Sequence, residues 1–148
     1  MEDHDIDVLA RTIWGEARGE PYEGKIAVAW TAKNRALIAQ SYEKAHGKAH
    51  QHYGDGSLAS ACQAKWQYSC WNSGDPNLIA MESVTPETSA SFRDCLAIAK
   101  MVADGVVADP VKGSTHYYAV TIDPPAWAVG HTPVVQIGHH LFFAGIPA

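Results

Sequence analysis

Positive charge is scarce in this chain. Its 148 residues carry 11 Lys and Arg against 16 Asp and Glu, a net charge of −5. No basic patch is interleaved with aromatics, so nothing in the charge pattern provides for nucleic acid or an anionic membrane. Long hydrophobic runs are absent too, and the longest falls far short of a bilayer span, so no membrane insertion is expected. The opening Met1-Glu2-Asp3-His4-Asp5 is acidic, the reverse of a signal peptide. That predicts synthesis in the cytoplasm, with some other agent delivering the chain if its substrate lies outside. Cysteine is limited to Cys62, Cys70 and Cys95, which cannot all pair within one chain and lack zinc-knuckle spacing. Cys62 and Cys70 are near enough for a loop-closing bridge, but buried thiols are the simpler expectation. There is no internal repeat, no Gly/Ser or Pro-rich linker, no Gly-x-Ser-x-Gly elbow and no His-Glu-x-x-His.

What is present suffices for one domain, residues 1–148, with 47% apolar residues and enough length to bury about two thirds of the unfolded surface. Residues 5–18 read as a first helix. Pro21 suits the first turn of a second, whose Ile26, Val28, Ala29, Trp30, Ala32, Ala36, Leu37 and Ile38 make a broad apolar face, so this helix is expected to be central and buried. Residues 41–57 are polar and predict a loop. A short helix is expected after Ser57, through about Gln63. Residues 64–84 look irregular and aromatic. Thr85-Pro-Glu-Thr88 predicts the start of a helix running to Gly105. Beyond it, residues 116–120, 134–137 and 140–143 have strand character, interrupted by Asp123-Pro-Pro125. The expected class is α+β, helices first and then a small C-terminal antiparallel strand pair.

Glu16 is the most informative residue. At 100° per residue, Ile6, Leu9, Ala10, Ile13 and Ala17 form one apolar stripe, with Glu16 about 80° to one side and Trp14 about as far to the other. Both belong at the rim between core and solvent. Gly15 and Gly19 suggest that the helix is ending there. A carboxylate near the negative end of a helix macrodipole holds its proton more tightly, which suits a general acid. A solvated surface glutamate is the plain alternative.

Three chemistries fit such a chain. Glycoside cleavage needs a proton donor and usually a second carboxylate, for which Glu20, Glu23, Asp75 and Asp109 are candidates that spacing cannot separate. An intramolecular nucleophile on the substrate would remove that need. Trp66-Gln-Tyr-Ser-Cys-Trp-Asn72 supplies flat apolar surfaces and polar groups for sugars, and Tyr117, Tyr118 and Trp127 could add more, though each could equally be core. The second chemistry is a metal-dependent amidase, suggested by eight histidines and the His46, His50, His52 cluster. Gly47 argues for a loop there, and His139 and His140, adjacent on a strand, would point to opposite faces. Neither metal nor cofactor is therefore expected. The third is a non-catalytic glycan-binding module using the same aromatics. Cys70 as a nucleophile has no recognisable partner.

Four blocks, in order, carry a family resemblance: Leu9 through Arg35, with its Trp-Gly-Glu-Ala-Arg-Gly-Glu core; Gln67-Tyr-Ser-Cys-Trp71; Asp109-Pro-Val-Lys-Gly-Ser-Thr-His-Tyr-Tyr118; and Ile137-Gly-His-His-Leu-Phe142. The chain resembles the SleB/CwlJ-type cell wall hydrolases, which include spore-cortex-lytic enzymes and phage or prophage endolysins. The resemblance implies a lysozyme-like, mostly helical domain of the goose-lysozyme or lytic-transglycosylase kind, acting on peptidoglycan glycan strands; a monomer without a cofactor is expected. It implies that Glu16 is the catalytic acid/base, cleaving the bond between N-acetylmuramic acid and N-acetylglucosamine. Glu20, Gln67, Tyr68, Ser69, Trp71, His116, Tyr117 and Trp127 would bind substrate. Residues 44–56 depart from the family pattern. A leaderless form resembles an endolysin released with the help of a holin, a tail-associated lysin being the lesser alternative.

Overall fold

Helix α1 spans Asp3–Ala17 and α2 spans Tyr22–His46. The structure, a computed structural model, describes residues 3–65 and 67–148. Leu9, Ala10 and Ile13 of α1 are fully buried, as their helical spacing requires. Pro21 stands one position before α2, with extended ψ, rather than in its first turn. The middle of α2 is buried and rich in alanine, which lets neighbouring helices approach closely, whereas Leu37 and Ile38 are 45% and 42% exposed rather than part of its packed face.

The polar stretch after residue 40 does not stop α2. Tyr42, Glu43, Lys44 and Ala45 are adequate helix formers, and the Tyr42 ring packs 4.2 Å from that of His46 one turn on. The helix ends where Gly47 adopts a left-handed conformation and its N–H returns to the Glu43 carbonyl. Helix α3, Leu58–Gln63, is capped by the Ser57 hydroxyl, and the buried Asp5 carboxylate accepts the Ala59 N–H at 2.9 Å, tying α3 to α1. A 3₁₀ turn at Ser69–Trp71 and a short α4, Leu78–Ser83, follow.

Helix α5 is Ala90–Ala103, five residues later than the Thr85 signal predicted. Thr85 spends its hydroxyl on Thr88 and closes a turn, and Ser89 supplies the cap by accepting the Phe92 N–H at 3.1 Å. Helices α1, α2, α3 and α5 enclose the main core.

The sheet has three strands rather than a pair: β1 (His116–Ala119), β2 (Val135–Ile137) and β3 (His140–Phe143), antiparallel, with β3 in the middle. Tyr117 pairs with Phe142, and this face packs on Ala17 of α1, Ala27 and Val28 of α2, and Val111 in the turn before β1. Tyr118, Leu141 and Phe143 form a second small core with Trp127, Ala128 and Ile146. Alternation along β1 therefore sends Tyr117 toward the helices, while His116 joins Trp127 on the other side.

Candidate active site

Glu16 sits in the last turn of α1, half-buried, with both carboxylate oxygens engaged. Oε1 accepts a 2.7 Å hydrogen bond from the Tyr117 hydroxyl. Oε2 accepts the Cys70 backbone N–H at 3.2 Å and a longer bond from the Ser69 hydroxyl at 3.4 Å. Burial, and then the nearby Glu16 charge, push the Tyr117 pKa well above the usual phenol range, so this hydroxyl remains a donor. Charge-assisted bonds of this kind fix a carboxylate's orientation as well as stabilise it.

Around Glu16 lies a cleft of ≈ 320 Å³, lined by Arg35, Gln67, Ser69, His116, Tyr117 and Trp127. One wall is the segment leading into the 69–71 turn and the other is β1 with the 3₁₀ turn Ala126–Ala128, which carries Trp127. The His116 ring meets the Trp127 indole at 4.9 Å, and its Nδ1 bonds the Thr115 hydroxyl at 2.8 Å. Burial, with a smaller contribution from the Arg35 charge, lowers the His116 pKa to about 4, so this wall is neutral at neutral pH.

Five of the eight residues expected to bind substrate line the cleft: Gln67, Ser69, His116, Tyr117 and Trp127. Tyr68 is buried behind it, its hydroxyl 2.8 Å from that of Thr31. Trp71 turns the other way, donating its indole N–H to Thr12 at 2.9 Å and lining a separate hollow of ≈ 250 Å³ with Gln63, Asn72 and Ser73. Trp66 lies outside the described residues. Arg35 was missed, because one arginine on an alanine-rich helix passes for a solvated residue. The available signal was its phase: it continues the face of Val28, Thr31 and Ala32, all buried.

The other candidate carboxylates lie outside the cleft. Glu20 is not one turn along α1, because that helix ends at Ala17. Its side chain, 8% exposed, accepts the His139 N–H at 2.7 Å and faces His139 Nδ1 at 2.8 Å and His140 Nδ1 at 3.4 Å. Both histidines reach one carboxylate because His139 lies in the turn before β3, where strand alternation does not apply. Burial alone would raise the Glu20 pKa, but the bonds from His139 and the charges of both histidines outweigh it and the net shift is downward. Asp75 accepts the Asn77 N–H. Asp109 accepts the Val111 and Gly113 N–H groups and is held by Asn34, knotting the loop that delivers His116 and Tyr117. Glu23 is exposed at the start of α2. Among the described residues lining the cleft, Glu16 is the one carboxylate.

The histidine cluster also has a structural account. His50 Nδ1 accepts the His52 and Tyr53 N–H groups, and its ring stacks on Tyr53 at 4.7 Å. Among the described residues, no three of His, Cys, Asp and Glu assemble so as to hold a metal ion. The three thiols are free and buried, and burial raises their pKa values, to about 12 for Cys62 and about 11 for Cys95 and higher still for Cys70 beside Glu16. Such thiols are poor nucleophiles.

A helical frame carrying one cleft carboxylate against a small antiparallel sheet defines a lysozyme-like fold. The chain superposes on the catalytic domain of the germination-specific lytic transglycosylase SleB from Bacillus anthracis with a TM-score of 0.67 at 20% identity, covering 97% of this chain and 96% of that one. The catalytic domain of the Bacillus cereus SleB protein gives 0.63 at 18% identity, covering 96% and 91%. The chain belongs to the cell wall hydrolase family, whose model matches residues 19–143. Glu16 lies just ahead of that span. A spore cortex-lytic enzyme of Halalkalibacterium halodurans is 27% identical over 95% of this chain and 34% of its own length. The Bacillus subtilis spore cortex-lytic enzyme is 54% identical over a shorter match, 24% of this chain and 12% of the relative. The chain thus spans about a third of the Halalkalibacterium halodurans relative.

Proposed function

We propose that this chain cleaves peptidoglycan glycan strands between N-acetylmuramic acid and N-acetylglucosamine, with Glu16 as both acid and base. The observation that carries this reading is that one carboxylate, held by Tyr117, Cys70 and Ser69, faces a cleft walled by Trp127, His116 and Gln67. Oε2, beside the exposed Ser69, gives its proton to the glycosidic oxygen as the bond to the muramyl C1 breaks. The resulting carboxylate then takes the proton of the muramyl 6-hydroxyl as that oxygen bonds to C1, leaving a 1,6-anhydro end. Hydrolytic glycosidases as a rule place a second carboxylate across the bond. No second one lines this cleft among the described residues, which favours capture by the substrate's own hydroxyl, where high effective concentration replaces an activated water. The names of the relatives, cortex-lytic enzymes and a lytic transglycosylase, point the same way.

The deciding experiment is mass spectrometry of purified sacculi after digestion. Products short of one water are expected from the wild type, and none from a folded Glu16→Gln variant. Products with water added would make the chain a muramidase, freed peptides an amidase, and binding without release a glycan-binding module. Digesting spore cortex and vegetative sacculi in parallel separates a cortex-lytic role from a phage endolysin. For the latter, lysis from within should require a co-expressed holin.

A further inference from the structure

Arg35 brings into this cleft a positive charge that no described residue neutralises. The residue is only 4% exposed, yet it lines the cleft with Glu16. Its Nε donates to the Thr115 carbonyl at 2.8 Å and its Nη1 to the Gln67 side-chain oxygen at 3.1 Å. Its guanidinium lies over the rings of Tyr68, at 4.6 Å, and Tyr53, at 5.3 Å. All of these partners are neutral. The ion pairs among the described residues are Arg11 with Asp7 and Lys100 with Asp104, joined by Glu20 with His139 and His140 when those rings are protonated; Arg35 enters none.

A buried cation without a counter-ion is costly, and a guanidinium with five N–H groups matches a carboxylate edge to edge in a way that an ammonium does not. The carboxylate already in the cleft cannot serve. Glu16 is not within ion-pair distance of Arg35, and both of its oxygens are held by other donors. Along the alternating polymer proposed as substrate, N-acetylglucosamine carries no acid group, whereas every muramyl residue bears a lactyl arm. That arm ends in a bare carboxylate or continues into a peptide stem that carries carboxylates.

We propose that Arg35 binds a carboxylate on the muramyl arm of the substrate and so sets the register of the glycan strand over Glu16. This rests on the glycan-cleaving reading above and makes Arg35 the specificity determinant of that reaction. The neutrality of His116, whose pKa is lowered by burial and by this same cation, leaves Arg35 as the one cation among the described residues lining the cleft at neutral pH.

The test needs no variant to begin. Sacculi with intact stems, and strands stripped of stems by an amidase, are each used untreated and after carbodiimide amidation of their carboxyl groups. Release of soluble fragments is measured against substrate concentration. Amidation should raise KM at least 10-fold with kcat changed less than 3-fold. If this occurs in stripped strands the bound group is the lactyl carboxylate, and if only in intact sacculi it is a stem carboxylate. Equal KM for treated and untreated material in both arms would overturn the proposal while leaving Glu16 in place, whereas loss of the glycan-cleaving reading would show as no anhydro product from any arm. Arg35→Lys should keep part of the discrimination. Arg35→Gln, with folding checked by circular dichroism, should cleave amidated and untreated substrate alike; a folded Gln variant that still discriminates as the wild type does would also overturn it.

Discussion

A methyl group on Gly15 would stand 2.8 Å from the Cys70 Cβ and 2.9 Å from the Met81 sulfur. Gly15 thus lets the 69–71 turn rest directly on α1, one residue before Glu16, and this approach brings the Cys70 N–H to the Glu16 carboxylate. Methionine can swing aside, but the Cys70 Cβ cannot move without its backbone. Gly15→Ala should therefore push the turn outward. Overpacking of this size costs about 1–3 kcal/mol, partly offset by the better helix propensity of alanine, about 1 kcal/mol. The expected result is a lower Tm and a fall in kcat of about 10-fold or more on sacculi. An unchanged kcat in the folded variant would mean that the Cys70 N–H does not orient the acid.

Tyr117→Phe isolates the other oxygen. The phenol reaches Glu16 from β1, so its loss removes one charge-assisted bond and leaves the packing of the ring on Phe142 and His140 intact. Such a bond contributes about 1.5–3 kcal/mol. If half of that is expressed in the transition state, kcat falls roughly 4- to 12-fold at about 1.4 kcal/mol per decade. KM should hardly move, because the hydroxyl is spent on Glu16 and not on sugar. A KM effect alone would make Tyr117 a substrate contact.

The helical wheel was enough to put Glu16 at a rim, and the Ser57 cap and the three extended segments were equally readable, because each is a local property of the chain. What failed was non-local. Thr85 has the sequence of a cap, but its hydroxyl finds Thr88 first, and Ser89 takes the role. Residues 41–46 are polar without being helix breakers, so polarity misplaced the end of α2 and Gly47 was the true signal. The phase of Arg35 puts it on the buried face of α2 but not in the cleft, because its partners Gln67 and Thr115 lie 32 and 80 positions away. Spacing alone allows Glu20 as a second acid, since nothing local shows that His139 binds it from 119 residues on.

That long-range clamp makes a prediction of its own. Gly138 turns from β2 to β3 in a left-handed conformation, with φ +58°, and a Cβ there would meet Glu20 Oε1 at 2.6 Å. Glu20 therefore holds the hairpin against the turn between α1 and α2. Glu20→Ala removes both bonds to His139, which is exposed and can turn to water, so the cost is that of the bonds themselves, about 0.5–1.5 kcal/mol each. Because the same sheet carries Tyr117, activity should fall as well. Glu20→Gln can still accept the His139 N–H and should recover most of the Tm. If the Ala and Gln variants melt alike, charge rather than the hydrogen bond is what matters.

Stability should decline from pH 6.5 downward rather than only below the carboxylate range. His116 ionises near 4 in the folded protein against an ordinary 6.5, burial being the main cause. Between those values the unfolded chain binds a proton that the native chain refuses, so stability falls as pH falls through this window. His140 and His50 are shifted down as well, with burial the leading cause in each, and add to the same slope. Glu20 and Asp55 have lowered values, so their contribution is present above the ordinary carboxylate pKa and is lost as pH drops through the folded one, which extends the decline further into acid. Calorimetry from pH 8 to pH 4 should show Tm flat to about pH 7 and then falling. His116→Gln, which cannot take up the proton in either state, should flatten the slope between about pH 6.5 and pH 4 and leave in place the part contributed by the other groups. A Tm that stays level down to pH 5 in the wild type would mean that His116 is open to solvent and that the wall it forms with Trp127 is not dry.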